Sequence, residues 1–216
     1  MCNNYAQMMR GQAIADHVGA DRIATNLEIE ISGIFPNRYA PIVRNVPDGR
    51  ELTAAMWGMP SPAFALKGKN SDPGVTNVRN TSSPHWRRWL SPEYRCLVPV
   101  TSFAEPHFQS KENTWFALNE DRPLMFFAGV YDHLTRKPLV KSDAIEGLFY
   151  GFLTTEPNAE VAPVHPKAMP VILTEDADLD MWLNAPWEEA QKLQRPYEDG
   201  ALKIVARGKK TDGDTA

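Results

Sequence analysis

Residues 95–106 read Arg-Cys-Leu-Val-Pro-Val-Thr-Ser-Phe-Ala-Glu-Pro, a short apolar run that ends shortly before a carboxylate. The apolar part, residues 96–100, predicts a buried strand over residues 95–100. Pro106 favours an extended backbone at Glu105, which then stands at the end of the buried segment. Because burial raises the pKa of a carboxyl group, Glu105 is a candidate general acid or base. The alternative is a rim carboxylate that pairs with one of the arginines.

Similar short runs recur on both sides of this stretch and predict further strands at residues 40–44, 52–57, 75–79, 114–118, 124–131, 147–154, 171–174 and 202–206. Short helices are predicted at residues 7–18, 84–90, 178–184 and 186–193. Many short strands favour a barrel-like or sandwich-like sheet core. The chain has no internal repeat, so one domain is expected.

The composition is that of an ordinary globular protein, with 43% hydrophobic residues and a formal net charge of −4. No apolar run approaches the roughly 20 residues of a membrane helix, so we expect no membrane partner. Two cysteines cannot form a disulfide scaffold, and the first residues do not resemble a secretion signal, which favours a cytoplasmic location. Cys2, Cys96 and five scattered histidines have no metal-ligand spacing, so we expect neither a metal nor a cofactor.

Charge is unevenly distributed along the chain. Residues 77–95 carry four arginines and one glutamate interleaved with aromatic rings, and a second basic stretch begins at Arg38, whereas residues 175–189 carry six acidic residues and no basic one. Basic side chains mixed with aromatic ones suit single-stranded nucleic acid, because the charges contact phosphates while the rings stack on bases. The residues alone favour the alternative, a solvated helix whose tryptophans belong to the core.

Cys2 follows the initiator methionine directly. If Met1 is removed, the thiol and the α-amine of Cys2 form a 1,2-aminothiol. A free α-amine has an ordinary pKa of roughly 7.7 to 8.0, so a useful fraction is an unprotonated nucleophile at neutral pH. Such an amine condenses with an aldehyde to a Schiff base, and the adjacent thiol can then close a thiazolidine ring. The alternative is a small residue that merely permits removal of Met1.

Two further residues carry polar groups suited to this chemistry. His165 lies in the proline-rich loop Ala-Pro-Val-His-Pro-Lys-Ala-Met-Pro at residues 162–170, where it could transfer protons near neutral pH. The amide of Asn77 could orient a carbonyl or hydroxyl group. The alternatives are a structural histidine and an asparagine that closes a turn.

Five motifs occur in order along the chain: Met1-Cys2, Trp57-Gly58-Met59-Pro60, Asn77-Val78-Arg79-Asn80, Arg95-Cys96-Leu97-Val98-Pro99 leading to Glu105, and His165 followed by Met169-Pro170-Val171-Ile172-Leu173. In this order they resemble the SRAP family, the SOS response-associated peptidases. The resemblance implies an α+β fold, a single domain with a β-rich, barrel-like sheet core flanked by short helices. We expect this domain at residues 1–208 and a polar tail at residues 209–216.

The resemblance also implies an activity. The protein would remove Met1, bind single-stranded DNA and crosslink covalently to the ring-opened aldehyde of an abasic site, as a cytoplasmic or nucleoid-associated monomer. Cys2 would supply amine and thiol, and Asn77 would help to place Cys2 and the deoxyribose. Glu105 would be the acid and base of Met1 removal and imine formation, and His165 would protonate the sugar ring oxygen or its hydroxyl group. The candidate DNA contacts are Arg38, Trp57, Arg79, Trp86, Arg87 and Arg88.

The chain departs from the family at two places. Asn3 and Asn4 stand where many members have Gly-Arg with an arginine that touches DNA, and Pro106 stands where members often have an aromatic residue. Two other functions stay open. One is a peptidase that acts on protein substrates with Cys2 as an N-terminal nucleophile. The other is a non-covalent module for single-stranded DNA, in which Cys2 is incidental and binding is reversible and salt-sensitive.

Overall fold

Strands make up most of the regular structure in residues 2–24 and 31–212, the parts of the chain that the computed structural model describes. The strands are β1 (Asn4–Gln7), β2 (Arg22–Ile23), β3 (Ile31–Ile34), β4 (Tyr39–Val46), β5 (Gly49–Trp57), β6 (Asn77–Val78), β7 (Arg95–Val100), β8 (Ser102–Pro106), β9 (Asn113–Ala117), β10 (Met125–Arg136), β11 (Ile145–Thr155), β12 (Met169–Pro170), β13 (Ile172–Leu173) and β14 (Lys203–Arg207). The α-helices are α1 (Gly11–Val18), α2 (Asp176–Asn184) and α3 (Trp187–Ala190).

Five strands form a closed barrel. β5, β4, β7, β10 and β11 pair in this order, each antiparallel to the next. β11 then pairs in parallel with β5, with Tyr150 opposite Trp57, which closes the ring. Closure removes the unpaired edges of the sheet. The prediction of a β-rich α+β fold with a barrel-like core is therefore confirmed.

Both faces of β7 are buried, and so are both faces of β10 from Met125 to Tyr131, which explains the nearly continuous apolar sequence of these segments. On β10, Phe127 belongs to one apolar cluster while its neighbours Phe126 and Ala128 belong to another. The first cluster includes residues of a second sheet, and the other includes residues of α1, α2 and α3. Trp182 of α2 is fully buried. Its indole N–H donates to a barrel strand, at 2.9 Å from the Cys96 carbonyl oxygen.

The second sheet has the strand order β14-β9-β8-β1-β3. The stretch 95–106 connects the two sheets, because β7 belongs to the barrel and β8 to the second sheet. At the change of sheet, the backbone N–H of Thr101 donates to the Ala6 carbonyl oxygen at 2.8 Å. β1 therefore pairs with β8 directly beside the barrel. Cys2 lies two residues before the first residue of β1, Asn4.

Several predicted elements differ from the structure. The helix predicted from residue 7 begins only at Gly11, because residues 4–7 form β1, which pairs with a strand on each side. Pairing across the chain outweighs the local helical pattern there. The helix predicted at residues 84–90 is a 3₁₀ turn at Arg87–Leu90, and the strand predicted at residues 75–79 is two residues long.

Residues 209–212 of the predicted polar tail pack against the second sheet. Asp212 is 2% exposed, and the side chains of Asn4 and Trp115 donate to the carbonyl oxygens of Lys210 and Lys209. A polar composition does not reveal that backbone carbonyls accept hydrogen bonds from a sheet. Residues 213–216 of the predicted tail lie outside the described residues.

Candidate active site

Cys2 lies two residues before β1, between the barrel and the second sheet, and it is fully buried. β1 runs antiparallel to β8 with Asn4 opposite Ala104, which directs the preceding residues towards Glu105 and Pro106. The thiol of Cys2 donates weakly to the carbonyl oxygens of Asn4, at 3.5 Å, and Ala104, at 3.9 Å. Met1, whose removal the predicted chemistry requires, lies outside the described residues.

Asn77 reaches Cys2 from β6, a two-residue strand that pairs in parallel with β11. Its amide nitrogen donates to the Cys2 carbonyl oxygen and to the Thr76 hydroxyl oxygen, both at 2.8 Å. The Thr76 hydroxyl donates in turn to the side-chain oxygen of Asn3 at 3.3 Å. Asn77 therefore fixes the peptide that follows the reactive groups of Cys2. The prediction missed Thr76, although it directly precedes Asn77 in the sequence.

Glu105 lies on β8 and is fully buried. Its Oε2 is 3.9 Å from Nδ1 of His165. Burial raises the pKa of Glu105 from its ordinary value of 4.5 to about 8, so the carboxyl group is protonated at neutral pH. A protonated carboxyl group at this position can donate a proton during a reaction.

His165 is held by the loop that precedes β12. Its Nδ1 lies 2.9 Å from the Ala168 carbonyl oxygen, which can only accept a hydrogen bond, so Nδ1 carries the proton and Nε2 the lone pair. Burial lowers the pKa of His165 below its ordinary value, which favours the neutral ring at neutral pH. The geometry therefore presents His165 as a proton acceptor through Nε2.

The thiol of Cys2 is also held in its neutral form. Burial raises its pKa well above the ordinary range, and ionisation of Glu105 at higher pH raises it further. Because the thiolate is the reactive form of cysteine, this environment does not activate the thiol for direct attack.

A cavity of about 380 Å³ lies beside His165 and is lined by Pro106, Phe108, Lys111, His165, Pro166 and Lys167. Phe108 is 47% exposed, and its ring stacks on His107 with the ring centres 5.0 Å apart. Lys111 and Lys167 place two cations at the same opening. Except for His165, these residues were not predicted to contribute to the site. Pro106 ends β8, and the others lie in loops.

The predicted DNA contacts fall into two groups. Arg38, Arg87 and Arg88 are exposed. Arg79 is about 41% exposed and forms an ion pair with Glu156, whereas Arg88 pairs with Asp132 at 2.7 Å. These arginines lie at the surface, where phosphates could reach them.

The two tryptophans predicted to contact DNA are core residues instead. Trp57 is fully buried, and its indole N–H donates to the Thr76 carbonyl oxygen at 3.0 Å. Trp86 is 7% exposed and packs against His85 and Trp89. Neither ring has a face available to stack on a base, so their assignment as DNA contacts is corrected. The alternative stated for residues 77–95, that their tryptophans belong to the core, applies to Trp86.

Within residues 2–24 and 31–212, no group of three or more His, Cys, Asp or Glu side chains is arranged to hold a metal ion. In the same part of the chain, no helix is long and apolar enough to cross a bilayer.

Comparison with known proteins extends these observations. The chain is 24% identical over 181 residues to an abasic site processing protein of Saccharomyces cerevisiae, with 79% of this chain and 46% of that protein covered. It thus spans about half the length of that curated relative. A crystal structure of a protein from Bacteroides thetaiotaomicron has a TM-score of 0.71 at 20% identity, covering 94% of this chain and 90% of the other. One from Bordetella bronchiseptica has a TM-score of 0.68 at 20% identity, covering 94% and 97%. These likenesses support the fold. The family model of the SOS response associated peptidases, SRAP, matches residues 1–210, and the chain therefore belongs to the SRAP family.

Proposed function

We propose that this protein recognises abasic sites in single-stranded DNA and crosslinks to them through the amine and thiol of Cys2, after removal of Met1. The observation that carries the proposal is a connected set of residues from segments far apart in the chain: Asn77 bonds to Cys2, Glu105 lies near enough to Cys2 to affect its pKa, and His165 lies 3.9 Å from Glu105. Membership of the SRAP family, and similarity to an abasic site processing protein of yeast, support the same substrate. The protein would act as a monomer in the cytoplasm or on the nucleoid.

Ring opening of the abasic sugar comes first. The closed sugar is a hemiacetal, and opening requires its hydroxyl group to lose a proton while the ring oxygen gains one. His165 is neutral with the lone pair on Nε2, so it would accept the hydroxyl proton rather than donate one. The ring oxygen would take its proton from a group such as Glu105, which is protonated at neutral pH.

The amine then attacks the aldehyde carbon. The resulting alkoxide takes a proton from His165 and the new ammonium group gives one to the Glu105 carboxylate, which restores both residues to their starting forms. The resulting carbinolamine loses its hydroxyl group as water when that group is protonated, which leaves a carbon–nitrogen double bond. Glu105 is suited to donate this proton, because burial keeps its carboxyl group protonated near neutral pH. The thiol finally adds to the carbon of the protonated imine, which closes the five-membered thiazolidine. The thiol proton passes to the Glu105 carboxylate, which returns Glu105 to its protonated form.

This order of steps uses the amine before the thiol. A thiolate-first peptidase would need a lowered thiol pKa, as reactive cysteines have, whereas burial raises the pKa of Cys2. The amine needs no such activation, because its ordinary pKa lies near 8. The observed environment therefore favours crosslinking to an aldehyde over cleavage of other proteins.

The test is incubation of the purified protein with single-stranded DNA that carries one abasic site. Intact-mass measurement first establishes that Met1 is absent, and denaturing electrophoresis then detects the adduct. Processed Cys2→Ala protein should lose the stable adduct but still give a product after borohydride reduction, because its α-amine remains. Cys96→Ala is the matched control, since Cys96 is also a buried free cysteine and should be dispensable.

Three results would contradict the proposal. Absence of any adduct from correctly processed wild-type protein would refute it outright. Turnover of peptides together with indifference to abasic DNA would favour the peptidase. Reversible, salt-sensitive binding that is the same in wild type and Cys2→Ala would favour the non-covalent module.

A further inference from the structure

Residues 209–212 run across the second sheet along a path fixed by hydrogen bonds, and we name them the strap. The carbonyl oxygen of Lys209 accepts from the side chains of Asn113, at 3.1 Å, and Trp115, at 3.0 Å. The carbonyl oxygen of Lys210 accepts from the amide nitrogen of Asn4 at 2.7 Å. The strap is therefore attached to two strands, β9 and β1.

Asp212 anchors the end of the strap. Its carboxylate accepts from the Ser102 hydroxyl at 2.5 Å and from two nitrogens of Arg122, at 2.6 and 3.0 Å. Its backbone N–H donates to the Ser32 carbonyl oxygen at 2.8 Å. A buried carboxylate with a two-point arginine partner makes strong and directional hydrogen bonds. Asp212 lies beyond the residues that the family model matches.

Asn4 connects the strap to the reactive cysteine. Its backbone carbonyl oxygen accepts from the Cys2 thiol at 3.5 Å, and its side chain donates to Lys210 of the strap. Asn4 is only 6% exposed, and its side-chain oxygen is buried and receives no hydrogen bond from the described residues. The bond to Lys210 is therefore the one side-chain hydrogen bond that fixes the orientation of Asn4 in the described part of the chain.

We propose that the strap is a positioning element for Cys2 and acts through Asn4, which makes Asn4 and Asp212 positioning residues. The catalytic part of this inference rests on the proposed function. With the strap in place, the start of β1 is held and the thiol points into the site. Without it, the amine keeps its reactivity, but the thiol loses the fixed geometry that thiazolidine closure requires.

The experiment compares two truncations. Removal of residues 209–216 deletes the strap, whereas removal of residues 213–216 leaves it in place and serves as the matched control. Two readouts are recorded. One is the alkylation rate of Cys2 by iodoacetamide, followed by mass spectrometry with Cys96 as an internal reference. The other is the ratio of borohydride-trapped imine to stable adduct on abasic single-stranded DNA.

We expect the longer truncation to raise Cys2 alkylation, and to raise the ratio of imine to stable adduct, each by about fivefold, which corresponds to about 1 kcal/mol for the lost hydrogen bond. Affinity for single-stranded DNA without an abasic site should stay the same. A merely structural strap would change the melting temperature without changing the ratio. Equal alkylation and equal ratios in the two truncations would overturn the inference.

Asn4→Ala in the full chain provides a second route if the longer truncation does not fold. It removes the link to Lys210 and leaves the Asp212 anchor intact. The same changes in alkylation and in the ratio are expected, and wild-type behaviour in both would overturn the inference. Alkylation also separates the two proposals, because it needs no DNA. A wild type without adduct, combined with faster Cys2 alkylation in the variants, would refute the proposed function and leave the positioning role supported.

Discussion

Replacement of Glu105 by glutamine should stabilise the protein, and the gain should grow with pH. Glu105 is fully buried, and burial raises its pKa from 4.5 to about 8. In the folded state the carboxyl group therefore binds a proton over a pH range in which the unfolded chain has lost it. Stability from this group is fully present below pH 4.5 and is lost as the pH rises through about 8. Glutamine has a similar shape and does not titrate.

The size of the effect follows from the two pKa values. Each pKa unit corresponds to 1.36 kcal/mol. The shifted pKa of Glu105 therefore lowers the free energy of unfolding of the wild type by about 1 kcal/mol at pH 5, about 3 kcal/mol at pH 7 and about 5 kcal/mol at pH 9. Glu105→Gln should be more stable by these amounts. His165 titrates in both proteins, so its contribution largely cancels in the difference.

Urea unfolding at pH 5, 7 and 9 measures this difference. With a slope of about 2 kcal/mol per molar urea, a gain of 3 kcal/mol moves the midpoint up by about 1.5 M. Intact mass is recorded first, so that only preparations with the same first residue are compared. Glu146→Gln is the control, since Glu146 is an exposed glutamate on a barrel strand and should show no comparable trend.

A difference between Glu105→Gln and wild type that does not depend on pH would refute the reasoning. Lower stability of the variant at pH 9 would refute it more strongly, because it would mean that the carboxylate itself is stabilised in the folded protein. Either result would also remove Glu105 as the proton donor of the imine step.

Three further predictions concern single contacts. Asn77→Ala should slow adduct formation about tenfold, because it removes the hydrogen bond to the Cys2 carbonyl oxygen, and a time course on denaturing gels would contradict this if the rate were unchanged. Glu156→Gln should raise the affinity for single-stranded DNA a few fold by releasing Arg79, as fluorescence anisotropy at low salt can measure, and weaker binding would argue against Arg79 as a phosphate contact. Tyr5→Phe should lower the free energy of unfolding by about 1–3 kcal/mol, because the buried Tyr150 hydroxyl loses its partner at 2.5 Å, and urea unfolding without a change would refute this.

The strands of the barrel were predictable because their signal is local. Residues 96–100 and 124–131 are continuous apolar runs, as expected for strands that are buried on both faces. Both runs form barrel strands. Closure of the barrel was not predictable in the same way. It depends on parallel pairing of Tyr150 with Trp57, residues 93 positions apart, and no local pattern specifies which distant strands meet.

The candidate site was predictable to a different extent. Glu105 could be proposed from one short stretch, because a carboxylate after an apolar run implies burial, and the structure has it buried. The roles assigned to Cys2, Asn77 and His165 stay predictions, although Asn77 contacts Cys2 and His165 lies 3.9 Å from Glu105. The sequence could not separate core tryptophans from surface ones in residues 77–95, because interleaved arginines accompany both, and Trp86 was misassigned for this reason.

The reactive centre is neutral, whereas the opening beside it carries exposed cations. Burial favours the neutral forms of the Cys2 thiol, of Glu105 and of His165 at neutral pH, so the centre itself carries little charge. A centre of this kind can accept a neutral aldehyde without desolvating an ion, which is the costly event in a buried site. Charged phosphates would have to lose their hydration to enter such a centre, but they can remain at the opening beside His165, where Lys111 and Lys167 lie exposed. On the proposed function, a chain with net charge −4 therefore offers DNA a cationic opening, because a DNA strand meets the local charge at the opening and not the sum over the chain.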